Sequence, residues 1–374
     1  MLILVAAVLF GPCTAKAVDE DGIDIQKVLD QFDFSEISSL IKEKNAVAKP
    51  LNEMISDCIK SGYDIDSVIE QIHIRDYILG PLKSVGGLAI QLFIITVVAV
   101  LVKNMSAPGE DQSFIEKIVV ILVIAMLVPV IITCSRMTLD MYDDVKRTSS
   151  VVMPAFALLL TALGGIGSAG MLQTLMLIVN DTMLAVMSTI VVPVVLVSSA
   201  IGIVSPLVER DWMKSIFESI NAAVKWAIGI IMTVITAFFS LRTMSVASVD
   251  GIMLRTAEFA IDDLIPVVGG ALSDITGVMA GGVMMVKNAV GLIALILLAL
   301  DALMPLIHIA LCLFVFKASA AASRMIGADR ISKLYDNVSR SVLLFIICCV
   351  TITAIVMILV VISMAAANRV MMYR

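Results

Sequence analysis

The sequence has few of the residues that soluble enzymes use for catalysis. It contains two histidines in 374 residues, with 16% charged and 5% aromatic residues. No cysteine–histidine cluster has metal-ligand spacing, and neither a phosphate-binding Walker loop nor a Gly-x-Ser-x-Gly nucleophile elbow occurs. We therefore expect no enzyme activity, no catalytic or metal site, no cofactor and no nucleic-acid partner.

Apolar residues, in contrast, are abundant. They make up 60% of the chain, and the mean hydropathy is +1.04, which is more apolar surface than a soluble protein of this length could bury. Several runs have about the 17–25 residues that a helix needs to cross a bilayer. They are Val85–Val102, Ile118–Cys134, Ala223–Leu241 and Val342–Ala366. The composition predicts an all-α, polytopic helical membrane protein.

The N-terminus is typical of an exported segment. A short apolar stretch, Leu2–Phe10, precedes the small-x-small pattern Ala15-Lys16-Ala17, so we interpret residues 1–17 as a signal peptide, with an uncleaved anchor as the alternative. In residues 18–83, acidic residues outnumber basic ones by about two to one, and apolar residues recur at helical spacing. We expect three or four short exported helices that pack on a partner, lie along the membrane or form a small cap of their own.

The later part of the chain suggests an internal duplication. Two prolines repeat at one spacing of 112 residues (266 − 154 and 305 − 193), and a second pattern around Phe217 recurs around Tyr335, 118 residues later (335 − 217). The predicted organisation is two spans in 84–150, a first repeat unit in 151–246 and a second in 247–374. Chance matching of prolines and apolar runs is the alternative.

Glycine pairs stand where regular spans are expected, and they predict broken helices. Such breaks either line a cavity or allow close packing and tight turns. The pairs are Gly164 with Gly165, Gly269 with Gly270, and Gly281 with Gly282.

Polar residues in the same blocks are candidate pore or packing residues, because ionisable groups at membrane depth are costly and often functional. They are Asn180, Asp181, Ser273, Asp274, Lys287, Asn288, Asp301 and His308. Asp301 and His308 could form a proton or cation relay, or Asp301 could cap a turn at Pro305. Lys287 is interpreted as a residue that snorkels from a helix end, rather than as a buried charge.

Basic residues are concentrated in Lys317–Arg340, which the positive-inside rule places in the cytoplasm. An exported N-terminal segment then requires an odd number of crossings before Lys317, and nine candidate segments satisfy this. Apolar stripes within Val208–Ile220 and Ile331–Val338 predict helices lying in the interface, or else the polar starts of the following spans.

Three segments together resemble one known family. The stretches Pro266–Asp274, Lys287–Gly291 and Asp301–Pro305, in this order, are similar to the stage III sporulation protein AE family of endospore-forming bacteria. The layout of a signal sequence, a short exported region and a multi-span domain also agrees. The resemblance implies no catalytic residues.

The resemblance implies a role in sporulation. The family member would be a membrane component of the channel, or feeding-tube, complex between mother cell and forespore, in the mother-cell-derived outer forespore membrane. Other membrane and ring-forming components of the complex would be its partners, beside the lipid bilayer. It could act there as pore, permease or assembly platform. An independent secondary transporter and a non-conducting membrane scaffold are the alternatives.

Overall fold

The computed structural model describes residues 29, 32–43, 50–63, 85–87, 90–91, 93–94, 97–98, 110–208, 211–264 and 269–372. These residues form helices and turns with no strand, which confirms the predicted all-α class. The helices are α1 (Ser35–Glu43), α2 (Leu51–Lys60), α3 (Glu110–Ala162), α4 (Ile166–Leu177), α5 (Leu184–Val186), α6 (Val192–Val208), α7 (Asp211–Leu264), α8 (Gly269–Met325) and α9 (Asp329–Met372). Two π-helical segments, Ile178–Met183 and Met187–Val191, join α4 to α5 and α5 to α6.

The membrane-length helices are longer than the predicted spans. In the described part of the chain, five apolar helices are long enough to cross a membrane: Lys117–Ala162, Leu184–Val208, Trp212–Phe238, Ala280–Met325 and Asp329–Ala365. Helices α3 and α8 continue through their prolines without a break. The nine crossings expected before Lys317 stay a prediction. In hydrocarbon a broken helix leaves backbone groups without partners, so continuity is favoured even through proline and glycine.

Glycine has different roles at the predicted breaks. Gly164 has a φ of 82° and ends α3, where the Gly165 N–H donates to the Leu160 carbonyl at 2.9 Å, so the chain does break here. The prediction is wrong at Gly281 and Gly282, which lie inside the uninterrupted α8. Gly269 and Gly270 begin α8.

Helices α8 and α9 form a hairpin closed by a similar turn. Gly327 has a φ of 79°, and the Ala328 N–H donates to the Ser323 carbonyl at 2.9 Å. Asp336 on α9 accepts from Arg324 and lies 3.6 Å from the Lys317 ammonium, so the basic segment forms the helical end of a hairpin.

Helices α6 and α7 form a second hairpin beside the first. The Asn337 side chain donates to the Gly202 carbonyl at 2.9 Å, and Arg340 lies 3.5 Å from Glu218, so both hairpins turn at the same end of the bundle. Phe217 and Tyr335 are both buried, each seven residues into its helix when the first residue is counted.

The stripes predicted as interfacial helices are therefore the first turns of α7 and α9, which was the alternative interpretation. The internal duplication stays a prediction. Phe217 and Tyr335 occupy equivalent positions in their helices, as a duplication would require.

The N-terminal helix α2 contacts the other end of α8. The Tyr63 hydroxyl, just after α2, donates to the Met285 carbonyl at 3.3 Å. Met285 and Lys317 are separated by about 48 Å at 1.5 Å per residue, so α2 and the basic hairpin lie at opposite ends of α8. The signal peptide and half of the predicted span Val85–Val102 lie outside the described residues.

Candidate functional site between three membrane helices

One face of α3 carries small polar side chains toward α8 and α9. Thr148 is fully buried, and its hydroxyl donates to the Asp301 carboxylate with an Oγ1–Oδ2 distance of 2.6 Å. This hydrogen bond joins two helices across 153 residues of sequence. A short hydrogen bond to a carboxylate is stronger than one between neutral groups, so the pair fixes the height of α3 against α8.

Asp301 is not a helix cap, and that interpretation is wrong. The helix α8 continues from Gly269 through Asp301 and Pro305 to Met325. Pro305 has no N–H to donate to the carbonyl four residues earlier, which is that of Asp301. The carboxylate, this carbonyl and the Thr148 hydroxyl therefore concentrate oxygen atoms at one turn of α8, an arrangement that suits a proton or a cation.

His308 lies on the same face of α8 as Asp301, and its side chain is close to a cysteine thiol. Cys312, one turn further on, is within hydrogen-bonding contact of both His308 and Cys134 on α3. Asp301 and His308 are seven positions apart, or about 10 Å along the helix, so a proton passing between them would need an intermediate group. The relay stays a hypothesis.

Further polar groups on the buried face of α3 approach α9. The Cys349 thiol contacts the Thr138 hydroxyl at 3.6 Å, and Thr138 donates to the Cys134 carbonyl at 2.9 Å. The Ser149 hydroxyl is buried without a hydrogen-bond partner among the described residues, and the Tyr142 hydroxyl is buried beside the Cys348 thiol on α9. Buried polar atoms normally have partners, so this interface contains unused hydrogen-bonding capacity.

Lys287 lies in a different contact of α8, with α9. Its side chain is fully buried, and the ammonium donates to the Met364 carbonyl at 2.6 Å, so the snorkelling interpretation is wrong. A buried ammonium is tolerated when oxygen acceptors replace water. Asn288 is also buried, and its Oδ1 atom has no hydrogen-bond partner in the described part of the chain.

Four further candidates are placed by their backbone alone. Asn180 and Asp181 lie in the first π-helical segment, a distortion that is frequent at functional sites. Ser273 and Asp274 lie in the first turns of α8, near its start at Gly269. The side chains of these four residues lie outside the described set.

The sequence interpretation missed Thr148, Cys134 and Cys312, which complete the cluster. Thr148 follows the apolar run Ile118–Cys134 in a stretch rich in polar residues, and nothing in the pattern marks it as a partner of Asp301. Among the described residues, no group of three or more histidine, cysteine or acidic side chains could hold a metal ion.

Comparison with known proteins gives one consistent result. The family model for stage III sporulation protein AE matches residues 50–367. The stage III sporulation protein AE of Bacillus subtilis (strain 168) is 23% identical over 302 residues, which cover 80% of this chain and 75% of that protein. No solved structure matches significantly.

Proposed function

The chain belongs to the stage III sporulation protein AE family, and from this we propose that it is the membrane-embedded component of the channel complex between mother cell and forespore. The observation that carries the proposal is the family match over residues 50–367, which includes all five membrane-length helices among the described residues. The protein would reside in the mother-cell-derived outer forespore membrane, with its N-terminal segment exported.

The two ends of α8 support this arrangement. The end near Met285 contacts α2, and the other end carries the basic hairpin with Lys317 and Arg324. If the basic end is cytoplasmic, as the positive-inside rule predicts, the N-terminal helices are available on the opposite side to ring-forming partners.

The proposal is tested by crosslinking with mass spectrometry in sporulating cells of a host that produces the protein. We expect crosslinks from the N-terminal segment to other components of the sporulation complex. A control in which Lys42 and Lys60, in α1 and α2, are both replaced with arginine should lose the amine-specific crosslinks from these positions. Normal late forespore gene expression in a strain lacking the protein would contradict the proposal.

A second candidate, an independent secondary transporter, is favoured by the contact between Thr148 and Asp301. Titratable groups in the membrane interior are a recurrent feature of transporters. Such a protein would show coupled flux when purified alone and reconstituted, whereas a component of a larger complex would not. A third candidate, the non-conducting scaffold, would tolerate neutral substitution of Asp301, His308 and Lys287.

A further inference from the structure

The face of α3 that points away from α8 and α9 carries charged residues. At the same level along the bundle, α8 and α9 are almost entirely apolar. Six charged residues are exposed on α3, opposite its contacts with α8 and α9, and we call them the charged face: Arg136, Asp140, Asp143, Asp144, Lys146 and Arg147. Three are acidic and three are basic, and Asp144, Lys146 and Arg147 have interactions with other residues.

Helices α8 and α9 define the depth of this face. α9 has no charged residue between Arg340 and Arg369, and α8 has only Asp301 and His308 as ionisable groups, cysteines aside, between Lys287 and Lys317. Asp301 lies close to the middle of its stretch, which is the expected position of the membrane midplane.

The hydrogen bond from Thr148 to Asp301 brings α3 to the same level. Five members of the charged face lie within eight residues of Thr148, or about 12 Å at 1.5 Å per residue, inside a hydrocarbon core about 30 Å thick.

Two other contacts agree with this alignment. Cys349, well inside the charge-free stretch of α9, contacts Thr138 on α3. The ion pair between Arg340 and Glu218 sets the polar starts of α9 and α7 side by side, so their apolar stretches begin at one level.

Lipid is a poor environment for the charged face. Charges at this depth are rare in membrane proteins unless they face protein or a water-filled cavity. Asp144, Lys146 and Arg147 interact with other residues, but each charged group has several hydrogen-bonding sites, and hydrocarbon cannot fill those that remain. Exposed apolar residues flank it on α3, at Ile132 on one side and Leu158 on the other.

We propose that the charged face of α3 lines an aqueous cavity at the level of the membrane midplane, as one wall of a passage. The face points away from α8 and α9, so another part of the assembly supplies the opposite wall. The proposal that the cavity is part of a passage rests on the proposed function. The proposal that water contacts the charged face rests only on the alignment of α3 with α8 and α9. Alternating carboxylates and cationic groups would favour hydrated, polar solutes over apolar ones.

Cysteine accessibility tests the proposal on the full-length chain with its own cysteines replaced. Asp143→Cys and Asp140→Cys report on the charged face, and Met304→Cys is the matched control, exposed on α8 one turn from Asp301. Each variant is treated with a membrane-impermeant thiol reagent in intact cells and in inverted vesicles, and with a lipid-soluble maleimide.

We expect the impermeant reagent to modify Asp143→Cys at least about tenfold faster than Met304→Cys, because the reactive thiolate forms only where water is present. Reaction of Met304→Cys at an equal rate would overturn the proposal, because the level of Asp301 on α8 would then lie outside the membrane. This is the result expected if the apolar run Ile118–Cys134 of α3 lies at the midplane instead. Failure of the impermeant reagent at both Asp140→Cys and Asp143→Cys would also overturn it, because lipid or protein would then cover the face. Either result would leave membership of the sporulation complex untouched, since crosslinking tests that separately.

Discussion

The contacts of α8 with α9 and with α3 differ in character. Toward α9 it packs closely: a Cβ atom at Gly291 would come within 2.5 Å of the Met364 sulfur, and the hairpin end is held by Asp336 with Lys317 and Arg324. Toward α3 it presents Asp301, His308 and Cys312 to other polar groups. The same helix thus makes a close-packed contact on one side and a contact between polar groups on the other. We expect substitutions on the two sides to separate assembly from function.

The largest effect is expected for Lys287→Glu on the α9 side. The substitution removes the ammonium that donates to the Met364 carbonyl. The new carboxylate would face this carbonyl, so two buried hydrogen-bond acceptors would oppose each other without a donor. Loss of a buried charge partner costs about 3–5 kcal/mol, enough to prevent accumulation of the protein. Lys287→Met, which removes the charge and keeps the length, is the control, and immunoblotting of membranes should show much more of it. Equal levels of the two variants would mean that a carboxylate at this position is not buried against the Met364 carbonyl, which would contradict the described contact between α8 and α9.

Two glycine substitutions should differ because their neighbours differ in stiffness. A Cβ atom at Gly202 would lie 2.6 Å from the ring of the buried Phe217, whereas at Gly291 it would meet the flexible Met364 side chain. We expect Gly202→Ala to lower stability by about 1–3 kcal/mol and Gly291→Ala by less. Thermal unfolding in detergent measures both, and Phe217→Leu should restore part of the loss in Gly202→Ala. A larger loss at Gly291 would contradict this ranking of the two hairpins.

A smaller effect is expected on the α3 side, from Thr148→Val. The substitution preserves shape and removes the donor to the Asp301 carboxylate, which costs about 1–3 kcal/mol for an acceptor that remains buried. Thr148→Ser keeps the hydroxyl and should retain most of the stability. The comparison is again thermal unfolding in detergent, and an unchanged Tm for Thr148→Val would indicate that water takes the place of the hydroxyl.

The smallest effect concerns α2, outside the membrane helices. Burial raises the pKa of the Cys58 thiol to about 11, and the side chain is fully buried. At pH 8 about one thiol in a thousand would be ionised, so alkylation should be slow and should accelerate as the pH rises toward 11. The test uses a variant that keeps Cys58 as its single cysteine, with a sample denatured in SDS as control. Rapid labelling of the native protein at pH 8 would show that α2 does not pack as described.

The position of several membrane helices could be predicted from the sequence, but their full lengths and their contacts could not. The runs Ala223–Leu241 and Val342–Ala366 lie in α7 and α9, and Gly164 ends α3 as its pattern suggested. Continuity through Gly281 and Pro305 was missed because local propensity loses to the need to keep backbone hydrogen bonds in hydrocarbon.

The partners of the polar candidates could not be predicted for a different reason. Met364 is 77 residues from Lys287, and Thr148 is 153 residues from Asp301. No periodicity within a helix carries information about such pairs, so the burial of Lys287 and the role of Thr148 required the packed structure.

The central claim is that the negative charge of Asp301, at the contact between α3 and α8, serves function rather than assembly, and Asp301→Asn tests it most directly. The amide has the same shape and can still accept from Thr148, but it cannot carry the negative charge. We predict a variant with normal protein level and normal localisation at the forespore, and with late forespore gene expression lost. Sporulation at the level of the unsubstituted protein would contradict the account.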